Sequence, residues 1–208
     1  MTIWFSSDLH LDHANIIRFC NRPFSNVREM NEFLLDIHNK YVKSSDHWYN
    51  LGDVTLRRGG RIDREWFINT LKKFNGHKRL ILGNHDHLPI KTYCEAFEKV
   101  YGTWRGIDNI LLSHIPIHPS SMGAASANVH GHIHNNQPSS FPPVIRIDKK
   151  TQKVSYHPYV NISVEVTDYR PLSLEELKDR VNKEKGEYEG SKVGEEATKS
   201  LIRKVKND

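Results

Sequence analysis

In the stretch LILGNHDH, residues 80–87, an apolar run stops at Gly83. An amide, an imidazole and a carboxylate follow at once: Asn84, His85 and Asp86. Each of these groups can bind a cation or carry a proton, and the arrangement recurs along the chain. The apolar segment IWFSSDLH delivers Asp8 and His10, WYNLGD delivers Asp53, ILLSH delivers His114, and ANVHGHIH delivers His132 and His134. Gly52, Gly83 and Gly131 each stand directly before one of these polar groups. Glycine there permits a sharp turn and a close backbone approach. Asp8/His10 and His132/His134 are i, i+2 pairs, which an extended backbone would turn to the same side.

Carboxylate, amide and imidazole groups without a thiolate suit borderline-hard divalent ions. Mn²⁺ is the first choice, with Fe²⁺, Zn²⁺, Ni²⁺ or Mg²⁺ as alternatives. Asp8, His10, Asp53, Asn84, His114, His132 and His134 exceed the roughly three protein ligands of a single catalytic ion. They suffice for two ions sharing a carboxylate. Two ions ~3.5–4 Å apart clamp the attacking and leaving oxygens of a phosphoryl displacement and acidify a bound water.

Positioning such groups takes alternating strands and helices, and the hydrophobic pattern supplies them. TIWFSS, HWYNL and KRLIL read as strands whose carboxyl ends would converge on one crevice of an open α/β sheet. Between them, NVREMNEFLLDIHNKYV carries apolar residues on one helical face, with Asn26 and Glu29 as a capping box, and DREWFINTLKKFN repeats the amphipathic pattern. Tyr93 to Tyr101 reads as a further helix. After residue 105 the helical periodicity fades. NILLSH, ANVHGHIH, VIRI, KVSYH and VNISVEV read as short strands joined by turns, including the Pro-rich QPSSFPP. Ser173 and Glu176 form another capping box in SLEELKDRV. Val193, Ala197, Leu201 and Val205 then recur at i+4 in a charged ending that either docks as a helix or stays disordered. Residues 1–170 read as the domain and 171–208 as a charged helical tail.

The ordered blocks resemble the calcineurin-like metallophosphoesterases, whose motifs run D-x-H, G-D, G-N-H-D/E, H and G-H-x-H. They stand here as DLH (8–10), GD (52–53), GNHD (83–86), His114 in SHIP, and GHIH (131–134), over residues 3 to about 166. The resemblance implies an α/β fold, a four-layer αββα sandwich of two mixed β-sheets with flanking helices. It implies that Asp8, His10 and His134 hold one metal, that Asn84, His114 and His132 hold a second, and that Asp53 bridges both. His85 matches the family's non-ligand histidine, which stabilises phosphoryl oxygens or protonates the leaving oxygen, and Asp86 would orient it. The implied activity is metal-dependent hydrolysis of phosphodiesters, or of phosphomonoesters, by a hydroxide shared between the metals. DLHLDH and the later SVEVTDYRPLSLEEL also resemble a compact bacterial and phage branch.

Bulk properties fit an enzyme of this kind. The 208 residues are 37% hydrophobic and 26% charged, with mean hydropathy −0.64, and no apolar run reaches the ~20 residues of a membrane span. The N-terminal MTIWFSSDLH lacks the basic and apolar regions of a secretion signal. Cys20 and Cys94 lack metal-type spacing, so the expectation is a reduced, cytoplasmic setting without membrane association. The net charge of +5 arises before residue 171, after which the charges balance. This favours an anionic partner: a phosphorylated small molecule or a nucleotide, with nucleic acid, and hence a nuclease, left open. A non-catalytic scaffold on the same fold is the rival of another class. Arg57 and Arg58, in the basic loop LRRGGR just after Asp53, are candidate phosphate contacts, as are His13 and Arg22. Trp48, Trp66 and Trp104 read as core.

Overall fold

The computed structural model describes residues 1–135, 141–148, 150, 151 and 153–207, without the side chains of residues 204–207. Residues 137–140 of the Pro-rich stretch therefore lie outside the described residues, as does the Val205 side chain.

The first sheet is built on four parallel strands, β1 (Ile3–Ser6), β2 (His47–Asn50), β3 (His77–Ile81) and β4 (Lys99–Tyr101). Parallel neighbours need crossovers, and the helical patterns supply them. Helices α1 (Ala14–Phe19) and α2 (Val27–Tyr41) precede β2, α3 (Arg61–Leu71) precedes β3, and α4 (Ile90–Ala96) precedes β4. Their apolar faces meet one side of this sheet: Ile16, Met30, Leu34, Phe67, Leu71 and Tyr93 pack with Trp48 and Leu80. Trp48 stacks on Phe74 with ring centroids 5.5 Å apart, and its indole N–H donates to Ser6 Oγ at 2.9 Å.

The second sheet holds β5 (Thr103–Arg105), β6 (Ile110–Ser113), β7 (Ala127–His130) and β10 (Tyr159–Asn161) in the order β10-β7-β6-β5, with only β5 antiparallel. Strands β8 (Val144–Ile147) and β9 (Val154–His157) form a separate hairpin. The chain then returns as β11 (Leu172–Ser173), antiparallel to β1, which makes the first sheet mixed as well. Phe5, Tyr49, Leu51 and Ile81 of the first sheet face Ile110, Leu112, Val129 and Val160 of the second across a buried core. Two mixed sheets packed face to face with flanking helices make the α/β sandwich. Helix α5 (Leu174–Glu189) opens with the full capping box of Ser173 and Glu176, and its Leu177 enters the inter-sheet core. Helix α6 (Lys192–Asn207) follows, so the charged ending is helical. Its Thr198 hydroxyl lies 2.7 Å from the Tyr156 hydroxyl. Among the described residues no helix is long and apolar enough to cross a membrane.

Several local expectations are corrected. The helix expected from Tyr93 to Tyr101 ends at Ala96, because Phe97 turns extended and Val100 and Tyr101 join the sheet beside β3. The strand expected over VNISVEV stops at Asn161, whose side-chain oxygen accepts the Ser163 N–H at 3.0 Å, and Val164–Val166 is a 3-10 turn. Asn26 does cap α2, accepting from the Glu29 N–H at 3.0 Å, but Glu29 reaches back to the Ser25 N–H instead of closing the box on Asn26.

Candidate metal centre

The polar groups that follow β1, β2, β3, β6 and β7 meet at the carboxyl ends of those strands, and the main chain fastens the ends together. Asp8 donates its N–H to Gly52 O at 3.0 Å, His10 to Asp53 O at 2.9 Å, and Gly131 to His114 O at 3.0 Å. The His132 N–H points at both Asp8 carboxylate oxygens, at 3.1 and 3.0 Å, and the His85 N–H donates to Asp53 Oδ1 at 2.8 Å. The three glycines are required by proximity. A β-carbon on Gly52 would lie 2.6 Å from Gly83 N and 2.8 Å from His114 Nδ1. One on Gly83 would overlap the Asp53 carboxylate, and one on Gly131 would overlap Ser7 and Asp8.

The i, i+2 pairs do not sit on extended chain. Asp8, His10, Asp53, His132 and His134 all take positive φ, between 50° and 72°. Non-glycine residues in this region are strained by about 1–3 kcal/mol each, and such strain gathers at functional sites. The left-handed turns separate the members of one pair. The ligand atoms of Asp8, His10 and His134 lie within 4.8 Å of one another, and those of Asp53, His114 and His132 form a second such group. Asp53 stands between them, with Oδ2 3.5 Å from His10 Nε2 and 3.2 Å from His114 Nε2. Asn84 Oδ1 is 2.9 Å from His114 Nε2, so the amide joins the second group.

Two of the donors, Asp53 and His10, are in the form that binds cations. Against the pull of burial, Asp53 and Asp8 raise the His114 imidazole, and Cys20, Glu165 and Asp8 raise that of His134 to about 10, so a cation at those rings would displace a proton. Burial pushes the Asp53 carboxyl up, but the hydrogen bond and charge of His114, the His85 N–H and His10 outweigh it and hold the group at about 2. Burial drives the His10 imidazole well below its usual value against the pull of Asp53, so the ring is neutral. His10 Nε2 is buried and has no hydrogen-bond partner among the described residues. A buried nitrogen left orphaned beside the Asp53 carboxylate has a physical reason if a cation completes it.

The remaining candidates divide. The His85 ring lies 5.7 Å from the His10 ring and is half-buried at the crevice. Asp86 makes no hydrogen bond to the His85 ring among the described residues. Its carboxylate accepts the N–H groups of Asp53 (3.0 Å), Val54 (3.0 Å) and Gly83 (2.8 Å), locking the ends of β2 and β3 together, and burial raises it to about 6. His13 Nδ1 is 3.5 Å from His10 Nδ1, which puts this ring at the rim. Arg57 is held by Asp12 and Asp63, and its guanidinium lies 4.3 Å from the Trp66 ring centre, while Arg58 is exposed. Arg22 is buried, with its donors spent on Glu165 and on the carbonyls of Leu9 and Asp8.

Two residues escaped the sequence reading. Glu165 Oε1 is 3.0 Å from His134 Nδ1. It too follows a strand end, that of β10, and was hidden by reading VNISVEV as one continuous strand. Phe19 is 66% exposed, and its ring is 6.3 Å from that of His13. Nothing in its local pattern separates it from a core residue of α1.

No family model matches the chain. The uncharacterized protein MJ1445 of Methanocaldococcus jannaschii is 35% identical over 185 residues, covering 88% of this chain and 93% of that protein. The chain belongs to one family with it. The gene 66 protein of Mycobacterium phage L5 is 30% identical over 132 residues, 54% of this chain and 62% of its own length. A crystal structure of a protein of unknown function from Aquifex aeolicus superposes with a TM-score of 0.62 at 26% identity, covering 86% of this chain and 98% of that one.

Proposed function

We propose that the protein is a binuclear metal-dependent phosphoesterase of the calcineurin-like superfamily, with phosphodiesters as its preferred substrates. The observation that carries this reading is Asp53 Oδ2, placed 3.5 Å from His10 and 3.2 Å from His114 between two groups of ligand-capable side chains. When bound, two divalent ions such as Mn²⁺ would supply an activated water and withdraw charge from the phosphoryl oxygens.

The protein's own groups have separable tasks. Asp8, His10 and His134 would hold one ion, Asn84, His114 and His132 the other, and Asp53 both. His85 is free to donate to a phosphoryl oxygen or to the leaving oxygen, because its main-chain N–H alone is committed to Asp53. Asp86 acts through the backbone, keeping the two strand ends in register. His13, Arg58 and the exposed Phe19 ring would receive the parts of the substrate beyond phosphorus. Arg57 and Arg22 are occupied by carboxylates and shape the rim and the site from behind.

The test uses bis-p-nitrophenyl phosphate, p-nitrophenyl phosphate and short oligonucleotides with Mn²⁺, Ni²⁺, Zn²⁺ or Mg²⁺. Metal-stimulated hydrolysis of the diester is expected. Asp53→Asn and His132→Ala should each lower it by at least ~10²–10³-fold, the scale of removing one pre-organised charge-stabilising group. Full activity in either variant, with the fold intact by circular dichroism, refutes the reading. Hydrolysis of oligonucleotides in preference to the small diester would make the protein a nuclease.

A further inference from the structure

We propose that Glu165, clamped by Arg22, makes the cation site of Asp8, His10 and His134 the tighter of the two, so that the ions load in order. The proposal rests on the two-cation reading above. His134 shows two faces: Nδ1 lies 3.0 Å from Glu165 Oε1, and Nε2 lies 3.9 Å from Asp8 Oδ1. A carboxylate on Nδ1 takes that N–H, fixes the tautomer that presents a lone pair at Nε2, and makes the ring a stronger donor.

The Glu165 side chain is 2% exposed. Arg22 donates to its Oε1 through Nε at 2.9 Å and Nη2 at 2.7 Å. The same guanidinium donates to Asp8 O at 2.8 Å and Leu9 O at 2.9 Å, so one cation ties the main chain of a ligand to the carboxylate that aims another ligand. Glu165 Oε2 is buried without a hydrogen-bond partner among the described residues, so the carboxylate is held through Oε1 by Arg22 and His134. Among the described residues the second group has no equivalent. His114 Nδ1 rests 2.7 Å from the neutral carbonyl of Leu51, and Asn84 is an exposed, uncharged ligand. Glu165 is thus a positioning residue for one cation site only.

The experiment titrates the metal-free full chain with Mn²⁺ by calorimetry and with Co²⁺ by visible absorption, in the native protein and in Glu165→Gln. The native chain should bind two ions with affinities at least about 10-fold apart. Glu165→Gln should weaken the tight site by about 10–100-fold, the usual cost of removing such an outer carboxylate, and should change the Co²⁺ spectrum of that site. The weak site should move by less than about threefold. Arg22→Lys, which keeps the charge but loses the fork, should produce a smaller shift of the same site. Two events of equal affinity, an unchanged tight site in Glu165→Gln, or equal weakening of both sites overturns the proposal. Binding of one ion or none in the native chain removes the two-cation reading itself.

Discussion

At the scale of single residues the centre is defined by crowding as much as by ligand chemistry. Gly83 shows this most sharply: its Cα sits where any β-carbon would meet Asp53. Gly83→Ala should therefore push the shared carboxylate aside. Metal-stimulated hydrolysis should fall at least ~100-fold, and overpacking should lower stability by about 1–3 kcal/mol, measured by denaturant titration of the metal-free chain. The control is Gly59→Ala: Gly59 lies in a loop where an added β-carbon would meet nothing within 4 Å, so its cost should be that of positive φ alone. Equal losses in the two variants would mean that contact with Asp53 is not what matters. Residue types and glycine placement were legible in the sequence because ligands and close approaches leave chemical signatures. The roles of Asp86 and Arg22 were not, since a carboxylate that accepts backbone N–H groups looks the same in sequence as one that orients a histidine, and an arginine that reaches glutamate looks the same as one that meets substrate.

At the scale of elements, strands were legible wherever β-branched and aromatic residues ran between turn signals, as in HWYN and HKRLI. They were misread where pairing overrode local preference. Residues 99–101 became a strand because an edge of β3 was waiting for a partner, and 164–166 curled because Asn161 captured the chain. The second of these errors hid Glu165. Helix α2 carries a different kind of prediction. His38 is buried on it with Nε2 3.0 Å from Asn75 O, and burial lowers its pKa from 6.5 to about 4 despite that bond, with Lys78 adding to the effect. The folded state thus keeps the ring neutral while the unfolded chain takes up a proton as pH falls below 6.5. The stability tied to this residue is intact above that pH and is lost progressively between pH 6.5 and 4, at ~1.4 kcal/mol per pH unit and roughly 3 kcal/mol in total. His38→Gln, which can still donate to Asn75 O, should flatten that part of the pH–stability curve of the metal-free protein. An unchanged slope would show that His38 is not held neutral.

At the scale of the whole molecule, the sandwich brings five separate strand ends to one crevice, and the ligand types in the sequence anticipated that meeting. Composition could not show where the folded unit ends. The segment from residue 171 reads as a charged tail, yet Leu177 is fully buried in the inter-sheet core and β11 closes beside β1. Leu177→Ala should cost about 2–5 kcal/mol, as for other buried leucines, and removal of residues 174–208 should leave a chain without a cooperative thermal transition. A truncated chain that melts like the full one would show α5 to be an appendage. The central claim, a pair of cations shared by Asp53, is tested most directly by anomalous diffraction from crystals soaked in Mn²⁺. The account predicts two peaks ~3.5–4 Å apart, one against Asp8, His10 and His134, the other against Asn84, His114 and His132, with Asp53 touching both. A single peak, or density only at surface carboxylates, would contradict it.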